Sequence, residues 1–261
     1  MKLTKIAIFL IIFSTNLFSQ KMEEIPQLGK IIADYGVSGS ILIYNPKDNM
    51  YKGYDLNRCK EAFIPASTFK IPNTLIALET GVVTTDHIFQ WDKKEKPFKA
   101  WEKDMNIEEA FKTSCVPVYQ QIAQMIGLEK MKHYIKILDY GKMDINEDNL
   151  ITFWLEGNSK ITSFEQIAFL QKLYNLKFPV SKEAMETTKK IMISEETEEY
   201  KISSKTGTNR EGLAWYVGYI ETQSDVYFFA TNIFVPSKKI NSMEVRKNLT
   251  RSAFKIVGII K

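Results

Sequence analysis

Two groups that could act as a nucleophile and its base stand three residues apart in PASTFKIPNTLIALETG (residues 65–81): the Ser67 hydroxyl and the Lys70 amine. Residues three apart on a helix share a face, with Cβ atoms about 5–6 Å apart, so the two can meet. A serine hydroxyl is a weak nucleophile until an adjacent base takes its proton, and with no histidine nearby that base is Lys70. A free lysine has a pKa of about 10.4, so holding it neutral at pH 7 takes a bias of about 4–5 kcal/mol from its surroundings. Phe69, Ile71, Val116 and Trp154 can supply that bias by desolvation. A desolvated neutral amine can also react with carbon dioxide.

The elements that must hold this pair follow from periodicity. Ile71, Leu75, Ile76 and Leu78 recur at helical spacing, and Gly81 suits the left-handed position past a helix end. Pro72 is tolerated in a helix only near its start, where amides are unpaired anyway. The helix therefore begins close to Lys70. Upstream, residues 39–45 and 50–54 read as a hairpin around the turn-forming Pro46-Lys47-Asp48-Asn49. Helical signals dominate residues 107–113, 117–126, 128–138, 163–176 and 181–191. Strands return at 200–204, 213–220 and 226–234, before a closing helix at 241–257. The expected fold class is α+β, with one antiparallel sheet built from the N- and C-terminal segments, flanked by helices and interrupted by an inserted helical region. Residues 21–261 form a single catalytic domain in this reading, with a cleft where sheet and helical region meet.

Composition narrows the function further. The chain of 261 residues is 44% hydrophobic and 25% charged, which excludes disordered and solenoid classes. Residues 1–20 place Lys2 and Lys5 before the apolar run 6–13 and end in small and polar residues, the layout of a secretory signal peptide. Export across the inner membrane to the periplasm is the expected localisation, with no stable membrane insertion after cleavage. Losing Lys2 and Lys5 lowers the formal charge of +4 by two, far from a nucleic-acid-binding balance. Cys59 and Cys115 read as two free thiols. His87 and His133 stand apart without ligand spacing, so neither a metal site nor a serine-histidine-carboxylate triad is expected. The sequence leaves oligomeric state open, a homodimer included.

A lone Ser-x-x-Lys is weak evidence, and a second copy, Ser252 to Lys255, is expected only to flank a packed Phe254. The first copy differs because partners follow it in order: Ser114-Cys115-Val116, Tyr140-Gly141, Trp154-Leu155-Glu156-Gly157 and Lys205-Thr206-Gly207. This ordered set resembles the serine β-lactamase and penicillin-binding-protein superfamily, and within it the class D β-lactamases. One departure is Lys142, where that family usually has asparagine.

The resemblance implies hydrolysis of β-lactam antibiotics through a serine acyl-enzyme, with Ser67 as nucleophile. It implies that Lys70 is N-carboxylated by carbon dioxide or bicarbonate, with no other cofactor, and held by the Trp154 indole N–H. Ser114 would relay a proton to the leaving nitrogen, beside the positive charge of Lys205, with Val116 completing its Ser-x-Val element. Thr206 and Arg246 would bind the substrate carboxylate, and the backbone amides of Ser67 and Thr208 would form an oxyanion hole. Gly207 suits a strand that substrate approaches closely. Two other readings share these motifs: a peptidoglycan transpeptidase or carboxypeptidase that deacylates slowly, and a β-lactam sensor domain.

Overall fold

The computed structural model describes residues 20–237 and 239–261; the signal-peptide expectation lies, but for residue 20, outside them. The described chain opens with strand β1 (Lys21–Glu24), helix α1 (Pro26–Asp34) and the hairpin β2 (Ser38–Asn45) and β3 (Met50–Tyr54). A 3-10 turn (Ala66–Phe69) runs directly into α2 (Lys70–Glu79). The helical region continues through α3 (Ile107–Lys112), α4 (Val116–Ile126), α5 (Leu128–Leu138), α6 (Ser163–Tyr174) and α7 (Lys182–Ile191). Four strands and a helix close the fold: β4 (Ile193–Glu196), β5 (Tyr200–Thr208), β6 (Leu213–Thr222) and β7 (Val226–Phe234), followed by α8 (Ser242–Ile256).

The seven strands form one sheet in the order β1-β3-β2-β7-β6-β5-β4. β2 lies antiparallel against β7, which joins the two ends of the chain as expected. One pairing differs: β1 runs parallel to β3, so the sheet is mixed and not purely antiparallel. β1 is exposed along its whole length and has no apolar alternation to announce it. Of α1, only Leu28 and Ile32 are buried, too few for its period to stand out.

Both faces of the sheet are covered, so its central strands read as continuous apolar runs. Leu42 and Tyr44 of β2 join Trp215, Val217 and Tyr219 of β6 in the core beneath the inserted helices. Ile41 and Ile43 point the other way, with Ala214, Tyr216 and Ile220, against α1 and α8. α2 is the central helix of the insertion, buried from Lys70 to Ala77. Pro72 falls in its first turn, and Gly81 takes the left-handed conformation (φ 67°) just past its end. Capping boxes at Asn106 with Glu109 and Thr162 with Glu165 start α3 and α6. Among the described residues no helix is long and apolar enough to cross a membrane.

β5 runs four residues past the expected end, through Lys205-Thr206-Gly207 to Thr208. β4 pairs only with Lys201 to Ser203, so the last residues of β5 have no strand beside them on that edge. The turn that carries Ser67 packs against the face of this strand end, around Gly207.

Candidate active site

The nucleophile sits where the 3-10 turn meets α2. Ala66, immediately before it, adopts a left-handed φ of 50°, a strained conformation for a residue with a side chain, of the kind that clusters at active sites. Buried contacts hold the turn in place. Thr68 Oγ1 donates to the Pro65 carbonyl at 2.7 Å and accepts from Gln166 Nε2 at 2.9 Å. Tyr140 Oη lies 3.1 Å from Thr68 Oγ1 and 3.2 Å from Gln166 Oε1. From the sheet side, Trp215 Nε1 donates to the Ile64 carbonyl at 3.0 Å. Tyr140 thus supports the nucleophile from behind. Lys142 instead bridges Lys160 through its backbone and exposes its side chain, so its departure from the family pattern leaves the nucleophile turn untouched.

Lys70 Nζ lies 3.0 Å from Ser67 Oγ, and the lysine is 0% exposed. Its amine sits 5.0 Å from the centre of the Tyr119 ring. Burial without a carboxylate partner brings its pKa down from 10.5 to about 7. At that value a large share of the enzyme carries a neutral amine, able to accept the Ser67 O–H proton. Trp154 is also 0% exposed and stacks on Phe69, ring centres 5.4 Å apart, immediately before Lys70. Its indole N–H is buried with no hydrogen-bond partner. Such an orphaned donor costs about 1–3 kcal/mol, so this pocket is built to receive an acceptor.

A second serine and lysine face the first pair. Ser114, also left-handed at φ 55°, precedes α4, and Lys205 Nζ donates to its Oγ at 3.0 Å. Lys205 also donates to the Thr206 carbonyl at 3.0 Å. Burial, then repulsion by Lys70, Arg246 and Lys247, holds the Lys205 pKa well below the ordinary lysine value. Val116 is the first residue of α4 and packs partly buried against the core beneath the helices.

Gly207 explains how strand and turn come together. A Cβ there would lie 2.9 Å from the Pro65 carbonyl oxygen, 3.1 Å from the Thr68 nitrogen and 3.2 Å from the Ser67 nitrogen. Only glycine lets β5 approach the nucleophile turn this closely. Arg246, on α8, is 2% exposed, so it is no surface arginine. Its Nη1 donates to the Gly207 carbonyl at 2.7 Å and to Thr208 Oγ1 at 2.5 Å, tying the end of β5 to α8. Nine of the ten residues singled out in the sequence therefore form two lysine–serine pairs, a buried indole, and a strand end buttressed by arginine, while Val116 packs at the start of α4.

Sequence reasoning picked out Tyr140 as a motif residue without giving it a role, and missed its partners Thr68 and Gln166. A threonine inside PASTFK and a lone glutamine in α6 carry no spacing signal. The second Ser-x-x-Lys behaves as expected: Phe254 is fully buried in the core, while Lys255 is exposed. Cys59 and Cys115 are buried and unpaired.

Comparison with known proteins agrees with this geometry. Residues 37–255 match the penicillin binding protein transpeptidase domain. Beta-lactamase OXA-10 of Pseudomonas aeruginosa is 35% identical over 254 residues, covering 95% of this chain and 94% of its own. Beta-lactamase OXA-48 of Klebsiella pneumoniae is 36% identical, covering 97% of each chain. The crystal structure of a class D beta-lactamase from Sebaldella termitidis superposes with a TM-score of 0.88 at 40% identity, covering 93% of this chain and all of that one. The order of motifs along the chain, the paired serines and lysines at the sheet edge and these likenesses agree: the chain belongs to the class D β-lactamases, within the penicillin-binding transpeptidase fold.

Proposed function

We propose that this protein hydrolyses β-lactams through an acyl-enzyme on Ser67, after export to the periplasm. The observation that carries the reading is the buried Lys70 amine, 3.0 Å from the Ser67 hydroxyl and with its pKa brought down to about 7. Ser67 Oγ attacks the lactam carbonyl carbon while Lys70 accepts its proton. The developing oxyanion is met by the backbone amides of Ser67 and Thr208, a contribution of about 3 kcal/mol per donor in other hydrolases. The carbon–nitrogen bond then breaks, and Ser114 delivers a proton to the lactam nitrogen and is resupplied from Lys205, whose Nζ donates to its Oγ. Thr206 and Arg246 orient the substrate carboxylate. The proton that Lys70 took from Ser67 passes on to recharge Lys205, and in the second half the neutral Lys70 takes a proton from water, which attacks the ester, and returns it to the departing Ser67 Oγ.

The unpartnered Trp154 indole N–H fits one further group, an N-carboxylate on Lys70 formed with carbon dioxide. That group would supply an anionic base in a pocket that excludes water. Lys70 would carry it and Trp154 would hold it by its N–H. Among the described residues no side-chain acceptor within reach of that N–H competes for the place.

The test is turnover of a chromogenic cephalosporin in degassed, slightly acidic buffer, with and without bicarbonate at constant pH. Many equivalents of product, rising with bicarbonate, are expected from the parent, and a stalled acyl-enzyme from Trp154→Ala. A single stoichiometric burst from the parent would favour the transpeptidase or sensor reading. Full turnover indifferent to bicarbonate would leave Lys70 as a simple amine base.

A further inference from the structure

At Lys205 and Thr206 the open edge of β5 borders a cleft of about 230 Å³ whose remaining lining no step above uses. α3 lines it from one face of the sheet with Phe111 and Lys112, and α8 from the other with Lys247. Ser194 and Ser204 form its floor, and they satisfy one another at 2.6 Å. Its apolar wall comes from Ile191, Met192 and Ile193 at the junction of α7 and β4. The lining carries three lysines and no carboxylate.

Two of these lysines are engaged. Lys205 donates to Ser114 and Thr206, and Lys112 pairs with Glu108 at 2.6 Å. Lys247 has no side-chain hydrogen bond or ion pair among the described residues. The acid that acts on it, Glu195, is already held by Arg251 and by the Tyr200 hydroxyl. Lys247 is half-buried, and desolvation, then repulsion from Arg246 and Arg251, lowers its pKa. Such a cation gains from any anion that enters the cleft. Whole drug-sized ligands fill roughly 300–1,000 Å³, so this space suits a substituent of a ligand anchored elsewhere.

We infer that this cleft is a second anion subsite, with Lys247 as its free charge, selecting β-lactams that carry another anionic group beside the ring carboxylate. The inference rests on the hydrolase reading above. With the ring carboxylate at Thr206 and the lactam carbonyl at Ser67, a substituent on the ring carbon next to the carboxylate-bearing one leaves the nucleus on the Lys205 side, towards Lys247. The acyl side chain leaves on the opposite side. A sulfonate or carboxylate at the end of that ring substituent would meet the ammonium, while its linker packs on Ile193 and Phe111.

The experiment uses two cephalosporins with the same acyl side chain, one ending its ring substituent in a sulfonate and the other in a neutral sulfonamide of similar shape. Steady-state kcat and KM are measured for the parent, Lys247→Gln and Lys247→Arg. The parent should bind the sulfonate with the lower KM. Lys247→Gln should raise the sulfonate-to-sulfonamide KM ratio by about tenfold, the scale of one charged hydrogen bond, without a matching change in the kcat ratio. Lys247→Arg should keep the parent preference, and added salt should erode it. Equal KM ratios in the parent and the glutamine variant, with both compounds hydrolysed, would overturn the subsite. A parent preference for the neutral compound would overturn it without any variant. Failure of the parent to hydrolyse either compound would instead overturn the hydrolase reading beneath it.

Discussion

Replacing Lys70 by methionine separates what this residue does for chemistry from what it does to stability. Methionine nearly conserves volume and is apolar, so the buried site should accept it without a large cavity. The lysine is fully buried and its pKa falls from 10.5 to about 7 on folding. At about 1.36 kcal/mol per pH unit, the protonated form is disfavoured in the folded state by roughly 5 kcal/mol. The sign follows from proton counts. Below pH 7 both folded and unfolded chains hold the proton, and the whole penalty acts against folding. Between pH 7 and 10.5 only the unfolded chain holds it, so parent stability climbs by about 1.4 kcal/mol per pH unit. Methionine has no such dependence. After about 1 kcal/mol for the lost Ser67 hydrogen bond, Lys70→Met should be more stable than the parent by about 3–4 kcal/mol at pH 6. The advantage should shrink steadily above pH 7 and vanish near pH 10. Relief of Lys205, whose pKa is held down partly by the Lys70 charge, acts in the same direction. The assay is urea unfolding of both proteins at pH 6, 7, 8 and 9 in buffers free of carbon dioxide, since groups titrating alike in both cancel in the difference. A stability difference that does not move with pH, or a variant less stable at pH 6, would refute the argument that Lys70 is held neutral by burial.

Two substitutions probe the end of β5. Gly207→Ala should force the strand away from the nucleophile turn, at about 1–3 kcal/mol of overpacking, and lower kcat/KM by tenfold or more while the fold survives; stopped-flow acylation rates check it. Arg246→Ala removes charged hydrogen bonds to the Gly207 carbonyl and Thr208, so kcat/KM for penicillins should fall by an amount equivalent to about 1.5–3 kcal/mol, and unchanged efficiency would reduce Arg246 to a structural tie.

How much of this was legible in the sequence depended on whether a residue's role lies in its type or in its surroundings. Ser67 with Lys70, and Lys205-Thr206-Gly207, are legible because a nucleophile, its base and a small residue at a close approach are rarely combined in order by chance. The strands β2, β6 and β7 are legible because two covered faces make unbroken apolar runs. β1 is not, since it is exposed and held by backbone pairing to β3, which any sequence can make. Tyr140 is legible as a motif residue, but Thr68 and Gln166 converge on it from distant segments, and polar residues that satisfy one another in a core leave no period. Arg246 looks like any arginine of a polar helix, and only the packing of α8 beside β5 buries it.

The central claim is that Ser67, served by Lys70, is acylated by a β-lactam and then released. Intact-protein mass spectrometry over time after adding a penicillin tests it most directly. The account predicts a transient adduct of one drug mass on the parent that disappears with turnover, the same adduct on Ser252→Ala, and none on Ser67→Ala. An adduct that persists on Ser67→Ala would contradict it.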